Sequence, residues 1–397
     1  MKDIIKKNKF IILLFLLSFT LRLIYVLLVD TPIISDFRAM YDASIELVNG
    51  TSNYKSMNYF ILWGYQMGHV LYQAILLNMC NSVLFLKIVN CIISSFTVVF
   101  VYLLCCRVAG KKSSRIISIV YSLFPFSLYM NSVLSNQQLP LLLILIALYL
   151  FINIDYNKFI GKSLFIGLLL GLSNILRSEV IVIIGSLFVF SLFLIKNHGF
   201  KKICFSFIII FSMYLVCFKG CSFILKQSGI SPNGLSNMNP NWKFVLGFNY
   251  KTSGMYSEED AALYAYDADL SRQEVINRIK NYKEIPLLFV KKTKILWLNS
   301  DLYWPIGHLS NSPFYKVSNV VNQSYIYLFV LLSILSLMKL FSNKVQLLLF
   351  IILFMYFGTY LLIEVMPRYA YNLHAFEAIL CSVGLDVLIT RFKKKSV

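Results

Sequence analysis

One carboxylate and two guanidinium groups carry most of the chemistry legible in this chain. The carboxylate is Asp36, in the run Pro32-Ile33-Ile34-Ser35-Asp36-Phe37-Arg38-Ala39-Met40-Tyr41, just after the first long apolar stretch. An acid held at a membrane surface can take a proton as a general base or ligate a divalent metal. It can equally be the acid of a helix start, because Ser35 and Asp36 open a helix-like run to Val48. Asp30, Asp42 and Glu46 stand nearby, and Asp42 and Glu46 share a helix face as solvated surface acids do. The guanidinium groups are Arg177, in Asn174-Ile175-Leu176-Arg177-Ser178-Glu179, and Arg368, in Glu364-Val365-Met366-Pro367-Arg368-Tyr369. Both lie at turns between apolar runs. A planar fork of donors suits a phosphate. Local pairing, Arg177 with Glu179 and Arg368 with Glu364, is the alternative use.

Other charges are candidates of a different kind. Arg22 lies inside the first apolar run, where a charge marks a functional site or pairs with an acid of another helix. Lys291, Lys292 and Lys294 either attract an anionic lipid head group or snorkel from an interfacial helix. His69, His198, His308 and His374 are scattered without metal-ligand spacing. The eight cysteines lie in or beside apolar runs and read as buried thiols rather than a disulfide framework.

The elements that must position these groups are membrane helices. Hydrophobic residues make up 58% of the 397 residues and charged residues 14%, against roughly 45–50% and about 25% in soluble domains. That excludes an ordinary soluble protein and a disordered one. The net charge of +19 then belongs to cytoplasmic loops and not to a nucleic-acid surface, for which no motif is present. Lys2, Lys6, Lys7 and Lys9 precede the apolar run 10–29, which reads as an uncleaved first span with a cytoplasmic N-terminus.

Further apolar runs occupy 69–86, 88–107, 116–133, 139–154, 163–177, 179–195, 203–225, 322–341, 345–363 and 372–390. The basic clusters around Lys111, Lys158, Lys201, Lys344 and Lys394 all fall inside only if 69–86 lies along the outer surface. The expectation is an all-α polytopic protein of about ten spans, multi-pass in the cell membrane, with both termini cytoplasmic. It forms a single integral-membrane domain, 1–397. The parts are the first span (10–29), a first outer loop with surface helices (30–87), a transmembrane bundle (88–225), a large outer loop (226–321), and C-terminal spans with a basic tail (322–397). Within the large loop, Ser257-Glu258-Glu259-Asp260 predicts a helix start and Ser271-Arg272-Gln273-Glu274 a capping box. Pro286 breaks that helix, and 287–298 predicts an amphipathic interfacial helix.

These residues resemble a known pattern. Leu21-Arg22-Leu23 followed by Ser35-Asp36-Phe37 with Tyr41, Ala43 and Gly50, Leu176-Arg177 at the end of a Gly-rich helix, and Arg368-Tyr369 before the final span are similar to GT-C type integral-membrane glycosyltransferases. The protein O-mannosyltransferase and aminoarabinose-transferase families are examples. Ser178 stands where such chains often have Pro, and the usual paired acid is missing beside Asp36, where Ser35 and Phe37 stand. The resemblance implies a GT-C-like bundle with outer-face interfacial helices. It implies transfer of a sugar from a polyprenyl-phosphate donor to a glycan, lipid or protein acceptor, with inversion. Asp36 would be catalytic, and Arg177, Arg368, Tyr369, Arg22, Lys291 and Lys292 would bind substrate. No cofactor is certain; a divalent metal is possible. Membrane lipids are the other implied partners. Alternatives are a polysaccharide polymerase, a catalytically silent scaffold, or a lipid or sugar transporter or flippase. Transport calls for ionisable groups near the bilayer midplane and inverted repeats, and no repeat is evident.

Overall fold

The computed structural model describes residues 2–299, 302–340 and 342–395, with side chains described between Lys9 and Arg391. The terminal lysines Lys2, Lys6, Lys7, Lys393, Lys394 and Lys395 have side chains outside that range. Among the described residues every regular element is a helix. Among the described residues seven helices are long and apolar enough to cross a membrane: Lys9–Leu28, Val83–Val108, Val180–His198, Phe200–Gln227, Pro313–Lys339, Lys344–Leu362 and Pro367–Arg391. Gln138–Phe151 and Ile160–Leu176 are shorter apolar helices. The protein is thus a polytopic helical membrane protein.

Two apolar runs differ from simple spans, each for a local reason. The run 69–86 divides: Met67–Met79 ends at an extended Cys80, and Val83–Val108 starts afresh with Ser82 accepting the Phe85 N–H. Thirteen residues reach about 20 Å, short of the roughly 30 Å hydrocarbon core. The run 116–133, expected as one span, is broken into Lys111–Ser122 and Pro125–Tyr129. Pro125 excludes helical backbone from the residue before it, and Phe124 is extended. The ten expected spans are therefore seven long helices, two short ones and this broken segment.

Close helix approach is written in glycine. Gly167 and Gly171, one turn apart on Ile160–Leu176, face Ile210 and Cys217 of Phe200–Gln227 so closely that a Cβ at either would overlap them. Gly68 meets the backbone of Ile175 in the same way, which brings the Met67–Met79 helix against the turn that carries Arg177. The final helix, Tyr371–Lys395, forms the centre of the bundle, with Leu373, Ala375, Phe376, Ala378, Ile379 and Leu380 fully buried. By contrast Ile12, Leu13, Leu16, Ile24 and Leu27 of the first helix are exposed, as a lipid-facing surface requires.

The segment between Gln227 and Pro313 folds as a small helical unit. Trp242–Gly247 buries Trp242, Val245 and Leu246 against Ala265. Glu258–Tyr264 starts where expected, with Ser257 accepting the Asp260 N–H. The next helix starts a turn earlier than expected: it spans Ala268–Lys280, capped by Asp267, and Ser271 is buried inside it, donating to the Tyr264 carbonyl. Arg278 ties the unit together through Asp260, Glu274 and the Val245 carbonyl. The next helix, Ile285–Trp297, carries Pro286 in its first turn. Lys292 on this helix does not snorkel. It is buried, and its ammonium donates to the carbonyls of Gly247, Leu361 and Ile363 at 2.7–2.9 Å.

Candidate functional site

A cavity of about 510 Å³ opens where these parts meet. Four chain segments place charged side chains in its wall, and each is held by its local fold. Asp36 sits in the first turn of Ser35–Val48; Ser35 enters that helix with a left-handed φ of 52°. Arg177 caps Ile160–Leu176, where the chain turns before Val180. Lys243 lies in the helix pinned by buried Trp242. Glu364, Arg368 and Tyr369 follow Lys344–Leu362 in a turn clamped to the 242–254 segment. There the Glu364 N–H donates to the Lys243 carbonyl and the Val365 N–H to the Gly254 carbonyl.

The charges are arranged in pairs. Arg368 donates to Asp36 at 2.9 Å, and its guanidinium lies 4.4 Å from the Trp304 ring centre and 5.3 Å from that of Phe37. These cation–π contacts hold the guanidinium beside the carboxylate. Arg177 pairs with Glu179 and donates to Asn136 at 2.8 Å. Glu179 is fixed in turn by Tyr360 and Asn372, both at 3.1 Å. Tyr369 stands between the two arginines, with their guanidinium carbons 5.7 Å and 5.9 Å from its ring centre, and its hydroxyl donates to Glu364. Burial opposes the charge on Arg177, but Glu179 and the neighbouring tyrosines outweigh it and raise its pKa. Burial pushes the Glu364 carboxyl up, against the pull of Lys243 and Arg368. Lys243 is likewise opposed by burial, yet Tyr65 and Glu364 lift it above the usual lysine range.

Of the residues singled out in the sequence, Asp36, Arg177, Arg368 and Tyr369 line this one cavity. Arg22, Lys291 and Lys292 do not line it. Arg22 is buried among serines, donating to Ser18, Ser127 and the Ser122 carbonyl, and it ties the first helix to the broken segment. Lys291 is exposed on Ile285–Trp297. Arg177 does pair with Glu179 as its local alternative foresaw, whereas Arg368 pairs with Asp36 and not with Glu364. Sequence reasoning missed Lys243, Trp63, Tyr65, Asn136, Gln137 and Trp304. They sit in loops and short helices whose spacing carries no signal, and only the fold brings them together.

No protein-family model matches the chain, and neither does any curated protein sequence. Solved structures do match. Archaeal oligosaccharyltransferase AglB from Archaeoglobus fulgidus, in complex with an inhibitory peptide and a dolichol-phosphate, aligns with a TM-score of 0.59 at 12% identity over 98% of this chain. The same organism's oligosaccharyltransferase aligns in its apo form (0.60, 13%, 97% of this chain) and in a complex with zinc and sulfate (0.57, 13%, 96%). The fold is GT-C type. The present chain spans about half the length of these proteins, 52%, 50% and 49% respectively.

A metal is present in one of those GT-C structures, so the donor set here matters. Among the described residues no three His, Cys, Asp or Glu side chains gather into a metal-binding group. The cavity's acids are Asp36, Glu179 and Glu364, and the first two are already engaged with arginines. The residues present do not fit a three-ligand protein site.

Proposed function

We propose that the protein is a membrane glycosyltransferase that moves a sugar from a polyprenyl-phosphate carrier to an acceptor at the outer face of the membrane. One observation carries the reading: a carboxylate and two guanidinium groups from three distant segments share one cavity in a GT-C fold. The donor lies with its tail among the lipids and its phosphate beside Arg177 and Arg368. Asp36 accepts the proton of the acceptor hydroxyl. The acceptor oxygen bonds to the anomeric carbon as the bond from that carbon to the phosphate oxygen breaks, its electrons staying on the phosphate. The configuration is inverted in this single displacement. The two guanidinium groups stabilise the charge that grows on the leaving phosphate, and Arg368 also holds Asp36 in place. Holding both substrates in one cavity supplies proximity and orientation.

The test is Asp36→Asn. General-base assistance is worth about 10²–10⁴-fold, and Asn keeps the side chain's size and an oxygen that can accept from Arg368. Transfer of labelled sugar from a polyprenyl carrier in membranes is expected to fall by that factor, with the unfolding temperature in detergent lowered only modestly by the weakened Asp36–Arg368 pair and the protein still folded. Near-normal turnover would end the base assignment.

A further inference from the structure

Lys291 and Lys294 take no part in the cavity and belong to an exposed stripe on Ile285–Trp297. Leu287, Val290, Lys291, Lys294 and, just past the helix end, Leu298 are all exposed. At 3.6 residues per turn they fall within an arc of about 100°. Leu288, Lys292, Ile295 and Leu296 occupy the adjoining arc and are buried. The helix is fixed at the end of the membrane bundle. Lys292 donates to the carbonyls of Leu361 and Ile363, where Lys344–Leu362 ends. Trp297 packs on Phe357, with ring centres 5.0 Å apart, so the C-terminus of the helix lies roughly 7 Å below that end. The Leu298 carbonyl accepts from Gln323 at 2.7 Å, where the apolar run 322–341 begins. Val320 and Tyr327, one turn to either side of Gln323 on the same face of Pro313–Ser336, are exposed. The stripe therefore runs from the span ends into the membrane boundary, continuous with a lipid-facing side of that span.

We propose that this stripe binds an anionic lipid head group in the membrane leaflet on the cavity's side. Leu287, Val290 and Leu298 supply apolar area that enters the acyl boundary. Lys291 and Lys294 stand one turn apart on one face, so their flexible stems let both ammonium groups reach a single phosphodiester. The helix contains no acid, and neither lysine forms an ion pair among the described residues. A zwitterionic head group carries its own cation and gains less from the pair. A helix facing water would show charge in place of Leu287 and Val290, and the centre of a protein interface is poor in lysine. In the proposed orientation these lysines lie outside, so the inside bias that accounts for the other basic clusters does not account for them. Lipid binding at the stripe is independent of what the cavity binds.

The experiment places a fluorophore on the stripe and lets lipids report. Val290→Cys, made in the full chain in a background lacking the native cysteines, is labelled with a small fluorophore and reconstituted in nanodiscs of phosphatidylcholine and phosphatidylglycerol. In one set the phosphatidylglycerol is brominated on the acyl chain near the head group, and in the other the phosphatidylcholine. Quenching then gives the relative affinity of the two lipids at this site. Phosphatidylglycerol is expected to be preferred at least about fivefold, the effect of one lysine near an anionic surface. Lys291→Gln with Lys294→Gln should bring the two lipids close to parity, and Lys291→Arg with Lys294→Arg should keep the preference. Quenching by neither lipid overturns the inference, because the stripe then faces water or another protein. Equal quenching by both overturns it too, since the face then meets lipid without selecting charge. A preference that survives the double Gln change overturns the role of the lysines and with it the site. If the double Gln variant does not fold, the comparison of the two lipids with both lysines present still decides the matter.

Discussion

Lys292→Met probes how the turn carrying Glu364 and Arg368 is held. The ammonium sits on the last carbonyls of Lys344–Leu362, those of Leu361 and Ile363, and on the Gly247 carbonyl. When protonated it acts as a cationic cap at a helix C-terminus. Burial pushes its pKa down from 10.5 to about 7, and Glu364 pulls the other way. The sign follows from proton binding. Between the folded and unfolded values the folded chain binds fewer protons than the unfolded one, so stability rises with pH and is lost as pH falls from about 10.5 toward 7. The slope from this group is at most about 1.4 kcal/mol per pH unit, or about 3 kcal/mol between roughly pH 7.5 and pH 9.5. The three carbonyl bonds favour the ammonium and reduce that figure toward about 1 kcal/mol. Guanidinium unfolding of native protein and Lys292→Met in mild detergent across that range isolates the term. The native curve should rise more steeply by about 1–3 kcal/mol. Parallel curves would refute the burial argument for Lys292.

Arg368→Lys keeps the charge but loses the fork that reaches Asp36 and the guanidinium contact with the Trp304 ring. Transfer activity should fall at least roughly tenfold, and a variant with native activity would show that charge alone suffices. Arg177→Lys should behave similarly, because Lys cannot serve Glu179 and Asn136 together in the same plane. Gly171→Val drives a side chain into Cys217 and should destabilise the protein by about 1–3 kcal/mol, read as a lower unfolding temperature in detergent. Single cysteines at the exposed Ser35 and Lys251, in a background lacking the native cysteines, should label with a membrane-impermeant reagent from the opposite side to cysteines at the exposed Lys111 and Lys201. Labelling of position 111 from outside would overturn the proposed orientation.

Composition alone determined that this chain is a helical membrane protein, because 58% hydrophobic residues with 14% charge admit no other folded state. Local chemistry determined many boundaries too. The helix from Ser35 to Val48 and the Ser257 cap each follow from a few adjacent residues, whereas the break at Pro125, in a run expected as one span, shows only in the structure. Charge counting singled out 69–86, and the structure gives it a helix too short to span. Asp36, Arg177, Arg368 and Tyr369 were legible as candidates because polar residues beside apolar runs are conspicuous. Partnership was not legible. Asp36 and Arg368 are 332 residues apart, and no periodicity links them. Local spacing pointed Arg368 at Glu364, while cation–π contact with Trp304 and Phe37 turns it toward Asp36. Lys292 looked like a surface lysine because its own helix is amphipathic. Only the tertiary fold lays the carbonyls of Gly247, Leu361 and Ile363 over it. Lys243 enters the cavity for the same reason: its place depends on contacts between segments far apart in the chain, which a reading of neighbours cannot supply.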